Sequence, residues 1–342
     1  MASRPTILDV AREAGVSKAL VSFALNDRPG VAPDTRERIL KIAAELGWVP
    51  SMRARALSTD RAYALGLVIA RDPAIIAGDP FFPAFISGLE QVLAPIGQSL
   101  VLSMVADESA ERASYERLAE NGRVDGVVLT DLRQNDPRLA LISDLGLHAV
   151  TLGFPDVESP FGVISLDDAP GIQSVVAHLA DLGHTRIAHV AGASSWLHGK
   201  RRRDSFAAAL RERALVDDLI VETDFSASDG ARATAELLAL DVPPTAIVFA
   251  NDPMAVAGLG VAQRAGLRVP ADLSITGFDG SDVAEYMYPS LTTVSTSVTD
   301  WGRAAATLLL TAISGDDVVN VDLEPGQLVI RESTAAPLDN NP

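Results

Sequence analysis

Three apolar runs in the second half of the chain end on residues able to hold a polar ligand: LIVETDF on Asp224 and Phe225, AIVFAND on Asn251 and Asp252, and LSITGFD on Asp279. Carboxylate and amide groups exchange hydrogen bonds, and an aromatic ring offers a face for stacking. Asp252 with Pro253 also reads as a helix N-cap and first-turn pair, a structural role. Sets that would do covalent chemistry are missing. The five histidines, His148, His178, His184, His189 and His198, show no H-E-x-x-H spacing, and there is no G-x-S-x-G elbow, no P-loop and no cysteine. Gly258 and Gly260 in VAGLGVAQRAG imitate a dinucleotide fingerprint but sit inside a helical pattern. No cofactor and no metal are expected.

These residues need strands to bring their ends together. From Ala64 onward short apolar runs alternate with helix-length amphipathic stretches: LGLVIA, SLVLSMV, DGVVLT, HAVTLG, RIAHVAG, LIVETDF, AIVFAND, LSITGFD and LTTVST. Buried parallel strands with crossover helices explain the pattern, and nine of them imply two doubly wound parallel-sheet subdomains. Ligands of such sheets sit at the carboxyl ends of the strands, where Phe225, Asn251 and Asp279 fall. A chain of 342 residues with 48% hydrophobic content fits two or three globular domains. No apolar run approaches the roughly 20 residues that span a bilayer. The opening MASRPTILDV lacks the apolar core of a signal peptide, so a cytoplasmic protein without membrane partners is expected.

Charge separates a head from this body. The formal net charge is −17, yet residues 1–60 carry nine basic against seven acidic residues. An acidic body repels nucleic acid, which confines any DNA contact to the N-terminal segment. There Thr6 with Asp9 opens a helix that Gly15 stops. Ser17 caps a second helix to Asn26, with Leu20, Val21, Ala24 and Leu25 inward and Lys18, Ala19, Ser22 and Phe23 outward. A third runs from Pro33 to Leu46, with Ile39, Ile42, Ala43 and Leu46 on its inner face. This is a helix-turn-helix layout, although spacing alone also fits a generic helical hairpin.

The residues themselves go further. TILDVAREAGVSKALVSFALN, followed by VAPDTRERILKIAAELGWVPSMRARAL, closely resembles the DNA-binding head of the LacI/GalR family of bacterial transcription regulators. The resemblance implies that Lys18, Ala19 and Phe23 read base edges in the major groove, while Thr6, Ser17, Ser22 and Asn26 belong to the DNA-contacting set. Lys donates to guanine, whereas Ala and Phe can meet only apolar features such as a thymine methyl. Phe23 could instead support the helix as a partly buried residue. SMRARAL is similar to the family's hinge helix, which implies that Ala54 allows close helix approach and Leu57 wedges into the minor groove. Leu20, Phe23 and Ala32 depart from the family's usual Thr, Arg and Ser.

AIVFANDPMAVAGLGVAQRAGLRVPADLSITGFDG and LVIRESTA are similar to the same family's effector domain, itself related to periplasmic sugar-binding proteins. The resemblance implies that Asn251 and Asp279 bond ligand hydroxyls and that Arg202 offers a donor fork, with Ser205 replacing the Gly of that motif. Phe225 would stack on the ligand, and Phe81 and Phe82 would close the cleft from the other half. Lys200, Arg201 and Arg203 read as a solvated face, and Phe81 fits a core position equally well.

The expected fold is an all-α helix-turn-helix head on an α/β periplasmic-binding-protein-like body of two doubly wound parallel-sheet subdomains. The expected domains are a head at 1–50, a hinge helix and linker at 51–61, a body at 62–335 and a tail at 336–342. Within the body, 62–163 plus 295–335 form one subdomain and 164–294 the other. The resemblance implies a repressor acting as a homodimer on palindromic double-stranded operator DNA, controlled by a small sugar bound between the subdomains. A carbohydrate-active enzyme with a fused head is the alternative that architecture alone leaves open.

Overall fold

A computed structural model describes residues 5–25, 28–48 and 61–338. The chain divides into two compact units, Met1–Arg61 and Ala62–Pro342. In the first, α1 (Ile7–Ala14), α2 (Lys18–Leu25) and α3 (Pro33–Glu45) enclose one small core. Thr6 caps α1 through Asp9, its backbone N–H and its hydroxyl donating to the carboxylate at 2.9 and 2.7 Å. Gly15 closes the helix at φ 67°, a left-handed conformation that glycine adopts without Cβ strain. The Ser17 hydroxyl accepts from the Leu20 N–H at 3.1 Å, so the turn into α2 is two residues long. Val10, Ala14, Val21, Ala24, Ile39 and Ala43 are buried. Leu20 and Leu25 are only half-buried, because the two-turn α2 turns a narrow stripe toward its neighbours; on α3 and at its end, Ile42 is half-buried and Leu46 is 36% exposed.

The second unit contains two six-stranded sheets. The first has the order β11-β5-β4-β3-β1-β2, from β1 (Ala64–Ala70), β2 (Ser99–Val105), β3 (Gly126–Leu129), β4 (His148–Leu152), β5 (Gly162–Ser165) and β11 (Val321–Asp322). All its pairings are parallel. The second has the order β12-β10-β9-β8-β6-β7, from β6 (Ile187–Ala191), β7 (Ile220–Glu222), β8 (Ala246–Phe249), β9 (Ser274–Asp279), β10 (Thr292–Ser295) and β12 (Gln327–Val329). Only β12 runs antiparallel, against β10. The central strands β3 and β8 are buried at every position, as expected where helices cover both faces of a parallel sheet.

Helices α4 (Pro73–Gly78), α5 (Phe81–Leu93), α6 (Glu108–Glu120), α7 (Pro137–Asp144) and α13 (Val298–Ser314) belong with the first sheet. Those of the second are α8 (Ala169–Asp181), α9 (Leu197–Glu212), α10 (Ala227–Leu238), α11 (Asp252–Arg264) and α12 (Asp282–Tyr286). Helices α5 and α13 cross backbone to backbone at Gly88 and Gly302. A Cβ on Gly302 would land on the Phe85 carbonyl and the Gly88 Cα.

The chain passes between the subdomains three times, at 166–168, 296–297 and 323–326. One expectation is thereby corrected: 327–335 belongs with the second sheet, not the first. The exposed ladder of β10 needs a partner, which β12 supplies. Beyond it, the Ser333 hydroxyl donates to the Ile275 carbonyl at 2.6 Å, and Ser274 accepts from the Ala335 N–H at 3.1 Å. The nine apolar runs also undercount the strands. Strands β5, β11 and β12 are not among them, and β11 is only two residues long.

Candidate functional site

A cleft of about 770 Å³, part of it open to solvent, lies between the carboxyl ends of the two sheets. Arg71, Asp79, Phe81, Asp131 and Trp301 line it from the first subdomain, and Asp168, Arg202, Phe225, Asn251 and Asp279 from the second. The structure thus brings together five of the six residues named for this site.

Arg202 organises the second wall. Its place on α9 follows from helical spacing: Arg202, Phe206, Ala209 and Leu210 face inward while Lys200, Arg203 and Asp204 face solvent. The guanidinium donates to Asp168 Oδ2 at 2.7 Å and to the Ala250 carbonyl at 2.7 Å, and stands 3.7 Å from Asp279 Oδ1 and 3.7 Å over the Phe278 ring. Burial pushes the Asp279 carboxyl well above its usual range, although the Arg202 charge works against that. Asp279 also holds φ 103°, an uncommon conformation for a side chain of its kind. Arg201, read from sequence as surface charge, donates to the Phe154 carbonyl at 2.5 Å and lines the cleft.

Asn251 proves to be the N-cap of α11, so Asp252 is not. Asn251 Oδ1 accepts from the Met254 N–H at 3.0 Å, and its amide donates to the Phe225 carbonyl at 3.0 Å. Asp252 is fully buried and structural in another way, accepting from the Thr293 hydroxyl and the Ser281 N–H, both at 2.6 Å.

Phe225, at φ 70°, lies against the Gly192 backbone, where a Cβ would strike the ring. It stacks on Trp196 at 5.6 Å and tilts against His198 at 5.1 Å. On the first subdomain Phe81 faces the cleft beside Trp301, 5.8 Å away. Phe82 does not: it is 1% exposed and belongs to the core. Phe82, Phe85 and Leu89 form the inward stripe of α5, and one residue's rotation of about 100° turns Phe81 elsewhere.

Sequence reasoning missed Arg71. It follows β1, clamps Asp131 at 2.6 and 2.7 Å, reaches Asp79 at 3.3 Å and stands 4.3 Å over the Trp196 ring of the other subdomain. The polar position after the run LGLVIA, inspected like the later strand ends, was the available signal. Residues 132–134 and 195–197 also clasp across the cleft. Arg133 bridges Trp196, the Leu197 N–H donates to the Leu132 carbonyl at 2.8 Å, and Leu197 packs in a core cluster of the first subdomain. No short sequence pattern marks that pairing.

Two histidines, His189 in the core and the half-buried His198 in the cleft, make stability depend on pH. Burial depresses His189, which meets the Val248 carbonyl at 2.8 Å, to about 4, and His198 in the cleft to about 3. Both folded values lie below the unfolded one, so the unfolded chain binds more protons below about pH 6.5. Their stabilisation is complete above that pH and falls as pH drops toward the folded values. Between pH 6.5 and 5 the unfolding free energy should decline by up to about 1.4 kcal/mol per pH unit for each histidine. Urea titrations should show a shallower decline for His189→Gln. A slope equal to the parent's would refute the assignment.

In the head, Lys18, Ala19 and Phe23 are exposed on the outer face of α2, Phe23 at 40% with the Arg28 guanidinium 5.9 Å over its ring. Ser17 is exposed and Ser22 half-buried, whereas the Thr6 hydroxyl is engaged with Asp9. Asn26, Ala54 and Leu57 lie outside the described residues.

Residues 6–51 match the family described as bacterial regulatory proteins, lacI family, and residues 176–334 match a periplasmic binding protein-like domain. The chain is 32% identical to the HTH-type transcriptional regulator CelR of Thermobifida fusca, over 96% of this chain and 98% of that one. A solved CelR–cellobiose complex superimposes with TM-score 0.73 at 31% identity, covering 96% of this chain and 100% of that one. The lac repressor dimer bound to operator and the anti-inducer ONPF gives TM-score 0.84 at 28% identity, covering 98% and 100%. The likeness runs along the full length of known regulators, and the chain belongs to the LacI family of bacterial transcription regulators.

Proposed function

We propose that this regulator is a repressor whose grip on a palindromic operator is weakened by a small neutral carbohydrate bound between its two body subdomains. The observation that carries the reading is the convergence of Arg202, Phe225, Asn251 and Asp279 from one subdomain with Phe81 and Arg71 from the other on a single cleft. Its charges favour a neutral ligand. Arg71 faces Asp79 and Asp131, and Arg202 faces Asp168 and Asp279, which leaves neither guanidinium to a phosphate. Asp168 Oδ1 is buried without a hydrogen-bond partner and can accept from a sugar hydroxyl. The similarity to a regulator solved with cellobiose supports the ligand class.

For the head, Lys18, Ala19, Ser22, Phe23 and their neighbours form the DNA face, with Asn26, Ala54 and Leu57 completing it as the family resemblance implies. Two copies on a two-fold axis would match two operator half-sites. Val283, Tyr286 and Tyr288, 59 to 85% exposed on the second subdomain, offer apolar surface for the second copy. A ligand that touches both subdomains biases their relative orientation, and a coupling of about 1 to 3 kcal/mol changes operator affinity roughly 5- to 150-fold.

Calorimetry against a sugar panel, with operator affinity followed by fluorescence anisotropy, tests the proposal. Asp279→Ala should weaken sugar binding by about 1 to 3 kcal/mol and abolish the sugar response, while sugar-free operator affinity stays at the parent's level. Unchanged sugar affinity would place the ligand elsewhere.

A further inference from the structure

Beside the main cleft lies a second chamber of about 450 Å³, also partly open, between α4 of the first subdomain and the starts of α10 and α11 of the second. Asp79 and Phe225 border both spaces, so the two are neighbours divided by one carboxylate and one ring. The inner space is bounded by charged pairs, whereas the outer one is lined differently. Ile75 and Gly78 form one side, and Pro253 with the hydroxyls of Ser226 and Ser228, 3.0 Å apart, the other. Among the described residues, the shared Asp79 is its only charged side chain, and that carboxylate already faces Arg71 and the Phe81 N–H at 3.0 Å.

A sugar ring needs such a mixture: apolar contact for its C–H faces and neutral hydroxyl partners for its rim. Resting on the carbohydrate reading of the main cleft, we propose that the outer chamber is a second sugar subsite, so that the ligand is an oligosaccharide of at least two rings with its glycosidic link passing between Asp79 and Phe225. Phe225, at φ 70°, stands between the two chambers. In that conformation its ring points back onto Gly192 and its chain continues into Ser226 and Ser228, which gives one residue a wall in each chamber. Both chambers take walls from both subdomains, so each ring contributes to holding them together.

The test uses the full chain and calorimetry with glucose, galactose, mannose and xylose beside cellobiose, maltose, lactose and xylobiose. At least one disaccharide should bind 30-fold or more tighter than its constituent monosaccharides. Ser228 is exposed on the first turn of α10, so Ser228→Trp can fill the outer chamber without entering the core. It should weaken that disaccharide tenfold or more and leave monosaccharide affinity within twofold, while Ser228→Ala retains disaccharide binding. Ile75→Trp, from the opposite side, should reproduce the effect if Ser228→Trp fails to fold. A monosaccharide that binds as tightly as the disaccharide containing it, or tryptophan variants that leave disaccharide affinity unchanged, would overturn the outer subsite alone. Binding of none of these sugars would overturn the carbohydrate reading and the subsite with it.

Discussion

Arg202→Ala is expected to destabilise the body by about 3 to 5 kcal/mol and to remove the ligand response in the same step. The magnitude follows from what is left behind. Asp168 and Asp279, both nearly buried, lose the cation between them, and the Ala250 carbonyl loses its donor. Two carboxylates then share a water-poor space, and each raises the cost of ionising the other. Thermal melting by circular dichroism should show a fall on the order of 10 °C, with operator binding by the folded fraction retained. Arg202→Lys keeps the charge but cannot span three acceptors with a planar fork, so it should recover only part of the loss. A melting temperature within 2 °C of the parent's for Arg202→Ala would show that the pairing is not a net support.

Gly302→Val should be nearly as severe, with no charge involved. At the α5–α13 crossing the new side chain meets main-chain atoms of Phe85, Gly88 and Leu89, none of which can rotate away. The helices must separate, and overpacking of this kind costs about 1 to 3 kcal/mol or more. The bulk and branching of valine place it at or above the top of that range. The same movement displaces Trp301 and Phe81, which face the cleft from these two helices, so sugar affinity should fall alongside stability. Calorimetry and urea titration on the purified variant check both effects. A stable protein with unchanged sugar affinity would mean that the crossing has slack which its backbone contacts do not suggest.

Legibility in the sequence followed the range of each interaction. The three head helices could be read because caps, Gly15 and the inward stripe are local signals within four residues of one another. The strand ends carrying Phe225, Asn251 and Asp279 were legible for the same reason, since a buried parallel strand announces itself as an apolar run and its end as the first polar residue. Assigning Asn251 or Asp252 to the cap required the φ of −153° at Asn251, which both residue types permit. Arg71 stood at a strand end like the others, but its role is hard to read there because its partners lie 60 residues away at Asp131 and about 125 away at Trp196. Phe82 was misplaced because two adjacent phenylalanines on a helix look alike until the facing sheet selects one. The destination of 327–335 depended on which sheet edge lacked a partner.

The three passages between sheets have a consequence for taking the protein apart. Neither half of the body is a continuous stretch of chain. A fragment ending near residue 165 keeps β1 to β5 but lacks α13, which covers that sheet beside α5. One spanning 166–295 keeps β6 to β10 but lacks the β12 edge and the Ser333 bonds that seal it. The halves are laced together, so an experimenter who wants one sugar-facing wall in isolation must permute the chain and splice distant segments. Removing only the last dozen or so residues unstitches the second sheet from a position that looks, in the linear sequence, like a dispensable tail.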